Sequence, residues 1–157
     1  MRLQKATRGA LFALLELARH PERQMSASEI ADKYGISANH LAKVLRDLTR
    51  IGLVESVRGA GGGYRFSGNA KRVTLYDVIT LFEDVASDGG RPEQGDASEI
   101  GQALGRVMNE INEIAVATLK SITLATLLKI MERSNAERRL SSMSAESPVH
   151  AGLADES

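Results

Sequence analysis

Four glycines within five residues, Gly59-Ala60-Gly61-Gly62-Gly63, separate two short β-prone stretches at residues 53–57 and 64–66. Glycine adopts the positive φ of a tight turn without steric cost, so the run closes these stretches into a hairpin. The sequence before it is helical. Leu11, Leu14, Leu15 and Ala18 fall at i, i+3, i+4 and i+7, which predicts a first helix over about residues 3–19, ended by His20-Pro21. Ser26-Ala27-Ser28-Glu29 has the form of a capping box and starts a short second helix carrying Ile30 and Ala31, with Gly35 placed to end it. Ser37 is the N-cap of a third helix, with Leu41, Val44, Leu45 and Leu48 on its inner face and Gly52 closing it. The order helix, helix, turn, helix, hairpin predicts a mostly α chain built on a winged helix-turn-helix domain, with the hairpin as the wing.

The second half reads differently. Thr74-Leu75-Tyr76-Asp77 caps a fourth helix holding Leu75, Val78, Ile79 and Phe82. Residues 86–97 hold three Gly, one Pro and three acids and read as a loop. A long helix follows at about 98–119, with Ser98 as N-cap. Ile100, Leu104, Val107, Ile111, Ile114 and Thr118 recur in steps of 4, 3, 4, 3 and 4, a heptad seam. Such a seam packs inside one chain or pairs two copies. The first three helices already supply a core, so the seam is assigned to a homodimer. Ser121-Ile122-Thr123 opens a last short helix with Leu124, Leu127, Leu128 and Met131. Residues 134–157 lack periodicity and read as a disordered tail. The expected division is 1–72 for the winged domain, 73–133 for the linker helix, loop, dimerisation helix and final helix, and 134–157 for the tail.

Charge supports two jobs. Residues 1–72 carry 13 Lys/Arg against 6 Asp/Glu, a balance of +7, and residues 73–157 carry 7 against 14, a balance of −7. A basic winged half suits an anionic partner. The chain of 157 residues has no cysteine, so it forms neither disulfides nor thiolate metal sites, which fits a reducing cytoplasm. It has no apolar run of membrane-spanning length and no signal-peptide pattern. His20, His40 and His150 do not have metal-ligand spacing. Asp84, Asp88, Glu93 and Asp96 are irregularly spaced acids around one loop, and no Ser/His/Asp grouping is recognisable. Neither catalysis nor a metal or cofactor is expected.

The third helix is the candidate reader of DNA. With its apolar face buried, Ser37, Ala38, Asn39, His40, Lys43, Asp47 and Arg50 point outward, and a recognition helix presents its N-terminal residues to base edges. Arg58 precedes the glycine run and Arg65 follows Tyr64. An arginine on a wing tip can enter a narrow minor groove, while Gly59, Gly61, Gly62 and Gly63 let the backbone approach phosphates, and Tyr64 is counted with them among the wing's expected DNA contacts. Three other readings compete. The glycines could be a nucleotide-phosphate loop, although no Lys-Ser/Thr follows and no helix opens there. The chain could be a winged protein–protein interaction module, which predicts no salt-sensitive affinity for DNA. It could be a small enzyme using the acidic loop, which needs converging acids.

These residues resemble a known family. Met1-Arg2-Leu3, Glu29-Ile30-Ala31, Ile36-Ser37, Asn39-His40-Leu41, Lys43-Val44 and above all the stretch from Gly52-Leu53-Val54-Glu55 through Arg58-Gly59-Ala60-Gly61-Gly62-Gly63-Tyr64 are similar to the IscR/NsrR/CymR type of bacterial transcription regulator, the Rrf-two superfamily. Asp77-Val78-Ile79 and Thr123-Leu124-Ala125 fit the same pattern, and the likeness covers roughly residues 1–130. It implies a homodimeric regulator, a repressor by expectation, on a palindromic or partly palindromic operator in double-stranded DNA. The third helix would lie in the major groove and Arg58 in the minor groove. Many members hold an iron–sulfur cluster through three cysteines between the fourth helix and the dimer helix. Here that stretch has none, and Ser98 stands where the last would be. The departure argues against cluster sensing and leaves the signal to an unidentified effector or protein partner.

Overall fold

The computed structural model describes residues 2–85 and 93–145. Much of the expected 86–97 loop, with Asp88, and the end of the expected tail, with His150, lie outside the described residues. Three helices come first: α1 (Lys5–Arg19), α2 (Ala27–Tyr34) and α3 (Ala38–Arg50). The hairpin follows as β1 (Val54–Val57) and β2 (Gly63–Phe66), then α4 (Leu75–Ile79), α5 (Glu99–Ser121) and α6 (Leu124–Ala145). The fold is a mostly helical winged helix with a long C-terminal helical section.

Local chemistry sets the helix boundaries. Ser26 Oγ accepts from the Glu29 N–H at 3.1 Å while Glu29 Oε2 accepts from the Ser26 N–H at 2.6 Å, so α2 starts on a complete capping box. Gly35 ends α2 at φ 63°, where any other residue would be strained. Thr74 and Asp77 form a second box on α4. That helix stops at Ile79, so Phe82, expected within it, lies in the turn beyond. α1 lacks such a local cap. Gln4 offers no capping side chain, and Glu83, 79 residues away, accepts from the Gln4 N–H at 2.7 Å and from the Thr7 hydroxyl.

The core is aliphatic. Leu14, Leu17, Ile30, Leu41, Leu45 and Leu48 are fully buried where α1, α2 and α3 meet, and Val54 of the wing joins them. Val73, Val78 and Leu124 pack into the same cluster, so the starts of α4 and α6 are fastened to the winged domain. The Leu124 N–H donates to Val73 O at 2.9 Å and the Leu75 N–H to Ile122 O at 2.8 Å. Under this layer Glu16 is buried, accepting from Lys33 Nζ at 2.7 Å and from the Tyr34 hydroxyl. Burial alone would raise the Glu16 carboxyl, but the bonds from Lys33 and Tyr34, with the charges of Lys33 and Arg19, hold it below its usual range. Burial, with the bond to Glu16, pushes Tyr34 up to about 12.

The wing is also tied on its outer side. β1 and β2 pair antiparallel, Val54 with Phe66 and Val57 with Gly63. On the other edge of β2, Met25 exchanges two backbone hydrogen bonds with Tyr64, at 2.8 and 3.0 Å. A side chain at Gly63 would meet the Met25 carbonyl oxygen at 2.5 Å, so glycine permits this approach.

One expectation fails. The last helix was expected to be short, with a disordered tail from residue 134, but α6 continues to Ala145. Residues 134–145 contain neither Pro nor Gly, and Ala136, Glu137, Arg138, Arg139 and Leu140 all favour helix. They are almost entirely exposed, so this part of the helix carries no apolar stripe for a periodicity argument to find.

Candidate nucleic-acid interface

α3 is built to show one face. Its inner stripe, Leu41, Val44, Leu45 and Leu48, is buried. Its N-terminus is capped by Ser37, whose Oγ accepts from the His40 N–H at a long 3.4 Å. Ser37, Ala38, Asn39 and Lys43 are exposed. Asn39, Lys43, Arg46 and Arg50 follow one another at steps of 4, 3 and 4 and so share the outer face. Arg50 is engaged by Asp47 at 3.1 Å. Arg46 is exposed on the same stripe and was not among the expected contacts, although its spacing from Lys43 signals it. His40 is different from its neighbours. It is only partly exposed, and its Nε2 is buried with no hydrogen-bond partner.

The wing stands next to α3, because the Leu53 N–H donates to Leu48 O at 3.0 Å and β1 leaves directly from that junction. Arg58 is exposed at the start of the turn. Gly59 at φ 110° and Gly61 at φ 72° make the turn, closed by the Gly62 N–H on Gly59 O at 3.0 Å. Gly62 is also sterically required, since a Cβ there would sit 2.4 Å from Val57 O. Arg65 is held across the hairpin by Glu55, with Nε at 2.7 Å, which leaves Arg58 as the outward arginine of the wing. Tyr64 lies at the base of the wing, half-buried, with its ring against the core.

The seam residues lie together along α5 and are turned to solvent. Ile100 is 82% exposed, Ile111 54% and Ile114 62%, and Leu104, Val107 and Thr118 are exposed beside them. Only Leu119, near the end of α5, is buried. Lys120 Nζ sits 4.6 Å from the Tyr76 ring centroid, and a Thr74–Thr123 bridge joins the α5–α6 turn to the start of α4. α5 is thus anchored at one end, with its apolar row unpaired among the described residues.

The donor set does not suit a cysteine-held cluster. Ser98 N-caps α5, accepting from the Gly101 N–H at 3.0 Å. The chain has no thiolate to offer, and among the described residues no three His, Cys, Asp or Glu side chains gather as metal ligands. No described helix is long and apolar enough to cross a membrane.

Comparison with known proteins agrees with this architecture. The chain is 56% identical over 140 residues to BadM of Rhodopseudomonas palustris, named as an HTH-type transcriptional regulator, covering 88% of this chain and 89% of that protein. It is 35% identical over 142 residues to the protein aau3 of Rhizobium meliloti, covering 86% and 90%. Its fold is similar to that of CymR, the global cysteine regulator of B. subtilis, with TM-score 0.69 and 26% identity over 83% of this chain and 98% of that one. It is also similar to T. potens IscR, with TM-score 0.63 and 30% identity over 85% and 90%. Residues 3–130 match the Rrf2 family, described as iron-dependent transcriptional regulators. With the helix order, the glycine wing and these relatives in agreement, the chain belongs to the Rrf2 family of DNA-binding transcription regulators.

Proposed function

We propose that this Rrf2 regulator is a homodimeric, sequence-specific repressor that acts in the cytoplasm without a cysteine-ligated cluster. Its operator is palindromic or partly palindromic. Ser37, Ala38, Asn39 and Lys43 read base edges in the major groove, with His40 offering only what remains exposed, and Arg58 enters the minor groove. Gly59, Gly61, Gly62 and Gly63 bring the wing backbone to the phosphates, and Tyr64 holds the wing to the body. The observation that carries this reading is the two-sided character of α3: four buried aliphatics on one face and Asn39, Lys43 and Arg46 on the other, beside the exposed Arg58. Groove readers need such a face, and phosphate contacts need the cations.

The exposed row from Ile100 to Ile114 supports the homodimer, because an unpaired apolar heptad face on a soluble helix is stabilised by a second copy. Two reader helices would then address successive major grooves about 34 Å apart. The test is selection of bound duplexes from genomic fragments, then titration of the selected and a random duplex at two salt concentrations. Tighter binding of the selected duplex, weakening steeply with salt, is expected. Equal affinity for both would reject specific reading.

A further inference from the structure

A cavity of about 480 Å³ opens between α1 and the start of α3, with walls that include Lys5, Arg8, Phe12, Tyr34, Ile36 and His40. Other clefts on the surface reach a similar volume, so it is the lining that sets this one apart. Three features of the wall converge. Lys5 and Arg8 have no ion pair among the described residues, unlike Lys33, which Glu16 holds, and Arg50, which Asp47 holds. Glu83, at the same end of α1, is taken up by the Gln4 N–H and the Thr7 hydroxyl. Phe12 and Tyr34 supply paired rings, with centroids 5.1 Å apart and planes at 35°, and the Arg8 guanidinium lies 5.4 Å from the Phe12 centroid. The Tyr34 hydroxyl is engaged by Glu16, so this residue offers the cavity its ring. His40 brings the one buried side-chain polar atom left unpartnered among the described residues, its Nε2. Buried polar atoms in native proteins are nearly always paired, so this one awaits a partner.

The geometry points to an effector site for a small organic anion with a flat apolar body. The anionic end meets Lys5 and Arg8, and the flat body lies against Phe12, Tyr34 and Ile36. Cations alone would suit a phosphate of the DNA backbone, but a phosphate has no use for the paired rings. Ser37 and His40 belong to the first turn of α3, so an occupant touches the element proposed to enter the major groove. The binding claim stands by itself; its regulatory consequence rests on the proposed reading of DNA.

The test uses the full chain without DNA in a calorimetric titration. Phenylacetate is the probe, with acetate keeping the charge without the ring and 2-phenylethanol keeping the ring without the charge. Saturable binding of one phenylacetate per chain is expected, with acetate and 2-phenylethanol weaker by at least about tenfold. Arg8→Gln and Phe12→Ala should each lower phenylacetate affinity by about tenfold, and Arg133→Gln on α6 should leave it unchanged. Arg8 is exposed, so its variant keeps the test valid even where Phe12→Ala unfolds, as checked by circular dichroism. Saturating phenylacetate should then shift affinity for the selected duplex. No saturable binding up to about 10 mM, or binding unaltered by Arg8→Gln, overturns the site. Absent phenylacetate binding together with a shallower salt dependence of DNA binding in Arg8→Gln would assign the cations to DNA phosphate and likewise overturn it. Specific DNA binding that ignores bound phenylacetate overturns the effector role. Phenylacetate binding in a chain that does not distinguish duplexes supports the site and rejects the DNA reading instead.

Discussion

Replacing Gly63 by alanine tests how the wing is held. An alanine Cβ would lie 2.5 Å from the Met25 carbonyl oxygen, 2.6 Å from its carbonyl carbon and 2.9 Å from Ser26 N. All three are backbone atoms, and Ser26 is the N-cap of α2, so no side chain can swing aside. Relief requires Met25 to part from Tyr64, which breaks both backbone hydrogen bonds between them. At about 1 kcal/mol net for each bond, with about 1–3 kcal/mol for overpacking, the loss is about 3–5 kcal/mol. Gly59→Ala is the internal control. Its φ is 110° but nothing lies within 4 Å of a Cβ there, so it should lose only about 1–2 kcal/mol of backbone strain. The assay is urea unfolding by circular dichroism at one fixed protomer concentration, since a dimer's apparent stability depends on it. The expected order is wild type above Gly59→Ala above Gly63→Ala. A Gly63→Ala protein that loses no more than the control would refute the argument, because the close approach would then be relaxed at no cost.

Further outcomes follow from the same structure. Arg58→Ala should weaken specific binding by about 1–3 kcal/mol and relax any preference for A·T flanks, whereas Lys43→Ala should change the base preferred at one position of each half-site. A binding profile over single-base operator variants separates the two, and a uniform loss for Lys43→Ala would move that residue to the phosphates. Ile111→Glu should give a folded monomer in sedimentation, because a carboxylate buried in a seam costs several kcal/mol; an unaltered dimer would show that α5 is not the interface. Glu16 gives a pH signature. Its carboxyl is held below its usual range in the folded chain, so its contribution is complete above the unfolded value of 4.5 and is lost as pH falls through the folded value. Glu16→Gln should cost roughly 1.5–3 kcal/mol at neutral pH and flatten the acid limb of stability against pH; an unchanged limb would assign that slope to other carboxylates.

What the sequence shows about this fold is what lies close along the chain. The Ser26/Glu29 box, the left-handed Gly35 and the Ser37 and Ser98 caps each depend on contacts within a few residues, and all stand where expected. The α3 and α5 stripes were legible because burial or its absence leaves a period. Contacts spanning long separations were not. No local pattern announces that Met25 would pair with Tyr64 or that Glu83 would reach Gln4, since each needs the finished packing. The site shows the same split. Lys43 and Arg58 are exposed as their spacing requires, but the burial of His40 Nε2 depends on the finished packing. Tyr64, read with the wing motif, is at the base of the wing because its backbone is shared with Met25.

The cap that Glu83 lends to α1 has one more consequence. The first turn of that helix owes its closing acceptor to a residue just ahead of the connector leading into α5, and not to its own sequence. Local stability there is therefore conditional on tertiary closure, so opening at the amides of the first turn reports the position of a segment 79 residues downstream. Hydrogen exchange at Gln4 and its neighbours, faster in Glu83→Ala than in the parent while the α2 amides stay the same, would make the start of α1 a built-in gauge of where Glu83 sits.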